Sequence, residues 1–354
     1  YVLRDSKALD QSMQTLRDLV NNQNVIHSTS NYFNEDSTQK NTYDNAIDNG
    51  STYITGQHNP ELNKSTIDQT ISRINTAKND LHGVEKLQRD KGTANQEIGQ
   101  LGYLNDPQKS GEESLVNGSN TRSEVEEHLN EAKSLNNAMK QLRDKVAEKT
   151  NVKQSSDYIN DSTEHQRGYD QALQEAENII NEIGNPTLNK SEIEQKLQQL
   201  TDAQNALQGS HLLEEAKNNA ITEINKLTAL NDAQRQKAIE NVQAQQTIPA
   251  VNQQLTLDRE INTAMQALRD KVGQQNNVHQ QSNYFNEDEQ PKHNYDNSVQ
   301  AGQTIIDKLQ DPIMNKNEIE HAINQINTTQ TALSGENKLH TDQESTNRQI
   351  EGLS

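Results

Sequence analysis

The stretch Met13-Gln14-Thr15-Leu16-Arg17-Asp18-Leu19-Val20 recurs as Met139-Lys140-Gln141-Leu142-Arg143-Asp144-Lys145-Val146 and again as Met265-Gln266-Ala267-Leu268-Arg269-Asp270-Lys271-Val272, at a constant spacing of 126 residues. A long fixed period means a repeated structural unit, so it constrains the fold before any single motif does. The register extends well beyond this stretch. Tyr32, Tyr158 and Tyr284 match, as do Tyr43-Asp44, Tyr169-Asp170 and Tyr295-Asp296. Pro60, Pro186 and Pro312 match, then Asn63-Lys64, Asn189-Lys190 and Asn315-Lys316, then Gly83, Gly209 and Gly335. No insertion interrupts them, as expected where each unit packs on its neighbours and a change of length would disturb the next junction.

Hydrophobic residues make up only 29% of the 354 residues, against about 45–50% in ordinary globular domains. Such a chain cannot fill a thick core. It is either disordered or helical with a narrow apolar seam, and periodicity decides for the seam. Leu135, Met139, Leu142 and Val146 line one helical face; Tyr169, Leu173, Ala176, Ile180 and Ile183 line a second; Ile193, Leu197, Leu200, Ala203 and Leu207 line a third. An Asn- and Ser-rich loop, Asn21 to Thr42 in the first copy, separates the first two. The third helix should start with capping boxes: Ser65 with Asp68, Ser191 with Glu194, Asn317 with Glu320. Pro60, Pro186 and Pro312 stop the helix before. The pattern predicts an antiparallel three-helix bundle.

The rest of each period predicts a second, smaller bundle. In its better copy Leu213, Ala216, Ala220, Ile224 and Leu227 form one stripe. Leu230-Asn231-Asp232 then caps a helix with Ala238, Ile239 and Val242. After Ile248-Pro249 a helix carrying Leu257, Ile261 and Met265 runs unbroken into the recurring stretch. That helix should therefore serve two bundles at once, at about 36 Å long. In the preceding copy it should start near Ser123, capped by Glu126. At Gly83, Gly209 and Gly335 a helix-terminating glycine and a glycine tolerated within a helix both fit, with a near-continuous helix the favoured reading. The fold class is all-α, an elongated rod of tandem three-helix bundles sharing long connecting helices.

The larger bundle, with its Tyr–Asn–acid loop, Tyr-Asp pair and Asn-Lys before the third helix, resembles a FIVAR module. The smaller, with Leu212-Leu213-Glu214-Glu215-Ala216-Lys217-Asn218-Asn219-Ala220-Ile221, resembles a GA module. On that likeness FIVAR-like bundles occupy residues 1–83, 123–209 and 249–335. GA-like bundles occupy 84–122 and 210–248, their third helices shared with the next module, and 336–354 starts another. The alternation resembles the giant matrix-binding surface proteins of staphylococci. The resemblance implies a cell-wall-associated, extracellular bacterial adhesin that binds host extracellular matrix, with fibronectin the suspected partner, and that supports cell-envelope integrity. A dedicated binding module for a soluble host protein such as albumin is the alternative. Albumin-binding GA modules place aromatic residues at the start of the second helix. Here Asp232-Ala233-Gln234-Arg235 stands there, which argues against albumin. The copy from Val84 to Asn120 is Gly-rich, with Gly92, Gly99, Gly102, Gly111 and Gly118, so its middle helix should be short or frayed.

The charge of −19 opposes binding to nucleic acid or anionic lipid. No cysteine is present, so there is no disulfide or thiolate chemistry. No apolar run approaches the ~18 residues of a membrane span. The first residues do not read as a secretory leader, and the pattern starts and stops mid-period, so a piece of a longer protein is expected. No nucleophile–base pair and no metal-ligand or cofactor pattern stands out, so a non-enzymatic, monomeric chain is expected, with no catalytic, metal or cofactor residues to name. The most site-like clusters are Asn31-Tyr32-Phe33-Asn34-Glu35-Asp36 and Asn283-Tyr284-Phe285-Asn286-Glu287-Asp288. They lack the EF-hand ligand pattern, and are expected to pack on the bundle end and cap helix two. Tyr43, Tyr169 and Tyr295 are expected in the core, and His128 on a solvated face.

Overall fold

The computed structural model describes residues 2–56 and 58–353, in twenty helices with no strand among the described residues. The chain divides into two compact units, Tyr1–Lys149 with Gly168–Gln204, and Thr150–Arg167 with Asn205–Ser354.

In the first unit, helices Val2–Asn21, Ser37–Thr55 and Lys64–Asn79 close around Leu16, Tyr43, Ile47, Ile67 and Ile74. Helices Gly83–Gly99, Asp106–Gly118 and Arg122–Ala147 close a smaller core of Leu87, Ala94, Ile98, Val116, Val125 and Ala132. Arg122–Ala147 is 26 residues long, and its far half buries Leu135, Met139 and Leu142 beyond that core.

The second unit shows a shared helix in full. Ile248–Gly273 gives Val251 to a small core with Leu213, Ala220, Ile224, Ala238 and Val242. It then gives Ile261, Ala264, Met265 and Leu268 to a large core with Tyr295, Val299, Ile319 and Ile326. Each Val, Leu, Ile or Met among these contributes about 1.5–3 kcal/mol when fully buried. Leu227 and Met314 pack against both cores, so no gap separates the two bundles.

Several expectations need correction. The segment from Asn21 to Thr42 is mostly helical, with short helices Gln23–His27 and Ser30–Phe33 ahead of a second helix that starts at Ser37. The third helix is capped by Asn63 and Asn315, whose side chains accept from Ser65 N and Asn317 N; no Ser–Asp box forms. Helix Arg122–Ala147 is capped by Thr121 with Glu124, two residues ahead of Ser123 and Glu126. Ile183 lies past its helix, 82% exposed. The Gly-rich middle helix Asp106–Gly118 is complete, at 13 residues against 12 in the better copy. Asn105 caps it with Gln108 in a reciprocal box, and Gly111 leaves room for Leu188, whose Cδ1 a Cβ there would meet at 2.9 Å.

Nor is the helix continuous at the glycines. Lys64–Asn79 ends, Leu81 and His82 turn, and Gly83 opens a new helix. A Cβ on Gly83 would stand 2.4 Å from Ser30 O and 2.6 Å from Asn31 O. Glycine is required there because two backbones touch. Gly209 and Gly335 repeat the arrangement against Ser156 O and Asn283 O.

Candidate functional site at the module joints

The clusters singled out in the sequence build the joints. Asn31 Oδ1 accepts from Val84 N at 3.1 Å, Asp157 from Ser210 N at 3.1 Å and Asn283 from Glu336 N at 3.2 Å. Each supplies the cap that the next helix lacks in its own sequence, since His82 and Ser334 make no side-chain cap bond. The Asn34 amide donates to Asn120 O at 3.0 Å and accepts from Arg122 N at 3.0 Å. Asn160 does the same with Gln246 O and Ile248 N. One side chain thus meets both a carbonyl and an amide at the start of a shared helix.

The acids are buried beside these amides. The Glu35 and Glu287 side chains have no exposure. Glu35 accepts from His82 N and Asp36 N, and pairs with the Lys86 ammonium; Glu287 accepts from Ser334 N and Asp288 N, and pairs with Lys338. Burial alone would raise the Glu287 carboxyl, but Lys338 and the two backbone N–H groups outweigh it and hold it at about 2. Asp161 takes this place in the second copy, accepting from Gln208 N and Ser162 N at 2.6 Å. Its third partner is His165 at 3.0 Å. Asp36 adds an ionic bridge from Lys86 to Arg122, and Arg122 also binds Asp90 at 2.6 Å.

The expectation that these residues cap helix two is therefore wrong. Asp36 sits at that N-cap without a side-chain bond. The polar groups reach forward some fifty to ninety residues instead. The tyrosines do face their own bundle. Tyr32 stacks on His27 at 4.1 Å, and its hydroxyl donates to Asp44 Oδ2 at 2.6 Å while His27 meets Oδ1. Tyr284, His279 and Asp296 repeat this set. Phe33 stays 41% exposed and Phe285 73% exposed. Tyr43, Tyr169 and Tyr295 are buried, as expected. His128 is partly exposed and meets Glu131 at 3.1 Å on the solvated side of its helix, as expected. No group of three or more potential metal ligands occurs among the described residues.

A second kind of joint had no warning in the sequence. Asn231 Nδ2 donates to Ile306 O at 3.0 Å and Lys308 O at 3.1 Å, and Gln234 Nε2 donates to Ile313 O at 2.9 Å. In the other copy Asn105 reaches the carbonyls of Ile179, Ile180 and Glu182, and Gln108 reaches Thr187 O. The cap of each small bundle's middle helix thus plugs the helix end of the next large bundle. Gln108 and Gln234 are fully buried. The Arg of the recurring stretch completes the fit. Arg143 Nε donates to Tyr103 O and Arg269 Nε to Ala229 O, both at 2.8 Å. Asn136 and Asn262 accept from the N–H groups of the same two residues.

Comparison with known proteins agrees with these joints. FIVAR domains match residues 12–82, 138–208 and 264–334, and GA modules match 84–138 and 210–264. The chain belongs to the family of FIVAR–GA repeat proteins. The boundaries at 138 and 264 fall inside Arg122–Ala147 and Ile248–Gly273. Among curated relatives, it is 33% identical over 342 residues to the extracellular matrix-binding protein ebh of Staphylococcus aureus strain MRSA252, and 32% identical over 342 residues to EbhA of strain Newman. Each alignment covers 97% of this chain, but only 3% and 10% of those relatives. The crystal structure of the 756–1003 domain of S. aureus EbhA is 25% identical, with a TM-score of 0.64, and covers 70% of this chain and 98% of that one. A solved part of Embp, from a study of Staphylococcus epidermidis adherence to fibronectin, is 35% identical over 35% of this chain and 98% of its own, with a TM-score of 0.34, so the fold comparison rests on EbhA.

Proposed function

We propose that the chain is a non-enzymatic segment of a bacterial cell-surface adhesin, exposed outside the cell on a wall-associated protein, whose repeats bind host extracellular matrix weakly and many at a time. The relatives carry matrix-binding names. The observation that carries the proposal is the joint itself. Within each unit the polar side chains reach from module to module, and a helix common to two bundles replaces a flexible linker. FIVAR and GA modules recur along the chain, and modest single affinities then sum to avidity. Support for the cell envelope is part of the same proposal.

Fibronectin immobilised on a surface is the probe. The 354-residue chain should be retained at least about tenfold longer than a single 126-residue repeat, and soluble fibronectin should give little heat with one repeat. Equal retention by one repeat and three would defeat the multivalent proposal. The alternative, a module dedicated to albumin, is weakened by Asn231 and Gln234. At the start of the second GA helix those two side chains are buried and bonded to the following module, so neither is free to meet a partner.

A further inference from the structure

We propose that each small bundle carries a proton-dependent lock, in which Glu112 of one and Asp258 of the other let the core close fully only when their carboxyls are protonated. Helix Asp106–Gly118 buries Gln108, Glu112 and Val116 along one stripe. Gln108 is bonded at both ends and Val116 is apolar, but Glu112 is 2% exposed and its Oε2 has no partner. In the second bundle the stripe of Ile248–Gly273 runs through Val251, Asp258, Ile261 and Met265. Periodicity suggested Leu257 for the inside, yet Leu257 is 46% exposed and Asp258 is fully buried. Asp258 Oδ1 accepts from Gln254 at 3.1 Å, and Oδ2 has no partner.

The two acids are related by the period. One repeat on from Glu112 is Ala238, and one repeat back from Asp258 is Ala132, both fully buried. Where the middle and third helices meet, each bundle therefore holds one carboxyl at a position where the other holds a methyl group. An unpaired carboxylate is costly there; a protonated one fits the apolar core far better.

The charged neighbours do not neutralise either acid. His128 and Glu131 face Glu112 from the third helix and are bonded to each other. On the first helix Lys91 donates to Asn117 O and Glu97 pairs with Lys133; on its own helix Lys109 donates to Gly99 O. Around Asp258, Lys217 and Glu214 of the first helix lie 3.7 Å apart, Glu223 binds Lys226 and Arg259, and on the middle helix Arg235 binds Asp232 and Lys237 meets Glu240. Burial, then the Glu131 carboxylate, push Glu112 up to about 7 against the opposing His128; burial raises Asp258 against Gln254. A carboxyl whose folded value is raised gives stability that is complete below its unfolded value and is lost as the pH rises through its folded one, which for Glu112 is about 7. The first small bundle tightens as the medium acidifies towards pH 5 and loosens above neutrality, and the second responds in the same direction.

Hydrogen exchange on the whole chain, corrected for intrinsic rates, tests this. Peptides covering residues 106–132 should open at least about tenfold more often at pH 8 than at pH 5. Glu112→Gln should abolish that dependence in the first small bundle and spare the second, and Asp258→Asn should do the reverse. No pH dependence in the native chain, or a dependence that survives the matching substitution, overturns the proposal. Should glutamine not be accommodated, Glu112→Ala places in the first bundle the residue the second already carries. A carbon-13 titration of the native Glu112 carboxyl with its midpoint at or below pH 5 would refute the lock whatever the variants do.

Discussion

Two glycines on one helix should answer the same substitution with opposite signs. Gly83 and Gly92 both lie in Gly83–Gly99. Replacing a helical glycine by alanine ordinarily stabilises by about 0.5–1 kcal/mol. At Gly92, which is exposed with nothing within 4 Å of the new Cβ, that gain should appear. At Gly83 the Cβ would lie 2.4 Å from Ser30 O, 2.6 Å from Asn31 O and 2.9 Å from Asn34 C, all backbone atoms that cannot rotate away. Overpacking of this kind costs about 1–3 kcal/mol, so Gly83→Ala should be net destabilising by about 1–2 kcal/mol once the helix gain is subtracted. The damage should be local. Gly83 belongs to neither the Leu16–Tyr43 core nor the Leu87–Val116 core, so both bundles should persist while the bonds of Asn31 to Val84 and Glu35 to His82 open. Thermal unfolding together with hydrogen exchange across residues 30–36 and 82–86 measures both parts. If Gly83→Ala protects the joint as well as Gly92→Ala does, the close backbone approach is not what holds glycine there.

Asn231→Ala removes a helix cap and two bonds to the next bundle, and should cost about 2–3 kcal/mol in urea unfolding; a change within about 0.5 kcal/mol would show the plug to be idle. Because the Glu287 carboxyl is held at about 2, its contribution is present above the ordinary carboxylate range and is lost as pH falls from about 4 through 2. Exchange at Ser334–Lys338 should therefore rise at pH 2–3, and Glu287→Gln should show that rise already at neutral pH. Thr263→Gly with Gln266→Gly, two exposed positions of the shared helix, leaves Asn262 on its loop. With no native cysteine to interfere, spin labels at positions 218 and 304 should report a broader distance distribution; an unchanged one would show that the helix adds no stiffness.

The period, the helices and the seam residues Tyr43, Tyr169, Tyr295, Met139 and Met265 were legible because they obey local periodicity. The joints were only half legible. Asn34 and Glu35 stood out as unusual, but their partners, Asn120, Arg122 and His82, lie far along the chain, and a lone sequence carries no sign of which amide a buried carboxylate will meet. Gly83 looked like a tolerated helix residue because its constraint comes from Ser30. Leu257 and Asp258 show the limit of hydropathy itself. One residue of phase decides which faces inward, and the seam runs through 251, 258, 261 and 265 whatever chemistry stands there. Gln234 and Asn231 carried no apolar signal at all, since their burial is compensated by carbonyls some 75 residues ahead.

The plug of Asn231 into the carbonyls of Ile306 and Lys308 bears on how such a chain can change its length. The Asn and Gln bonds at each joint link a side chain to a backbone group a fixed distance ahead, and that backbone group has an equivalent one period away. Excising any 126 consecutive residues would rejoin every amide to a carbonyl of the same kind. Losing a small bundle alone would leave two large ones end to end, with no cap between them. Genetic exchange among copies can therefore lengthen or shorten the chain with these backbone bonds kept, provided it cuts in whole periods, even in mid-helix; only a junction that joins the helix of Glu112 to the helix of Asp258 would bring two buried carboxyls into one small core.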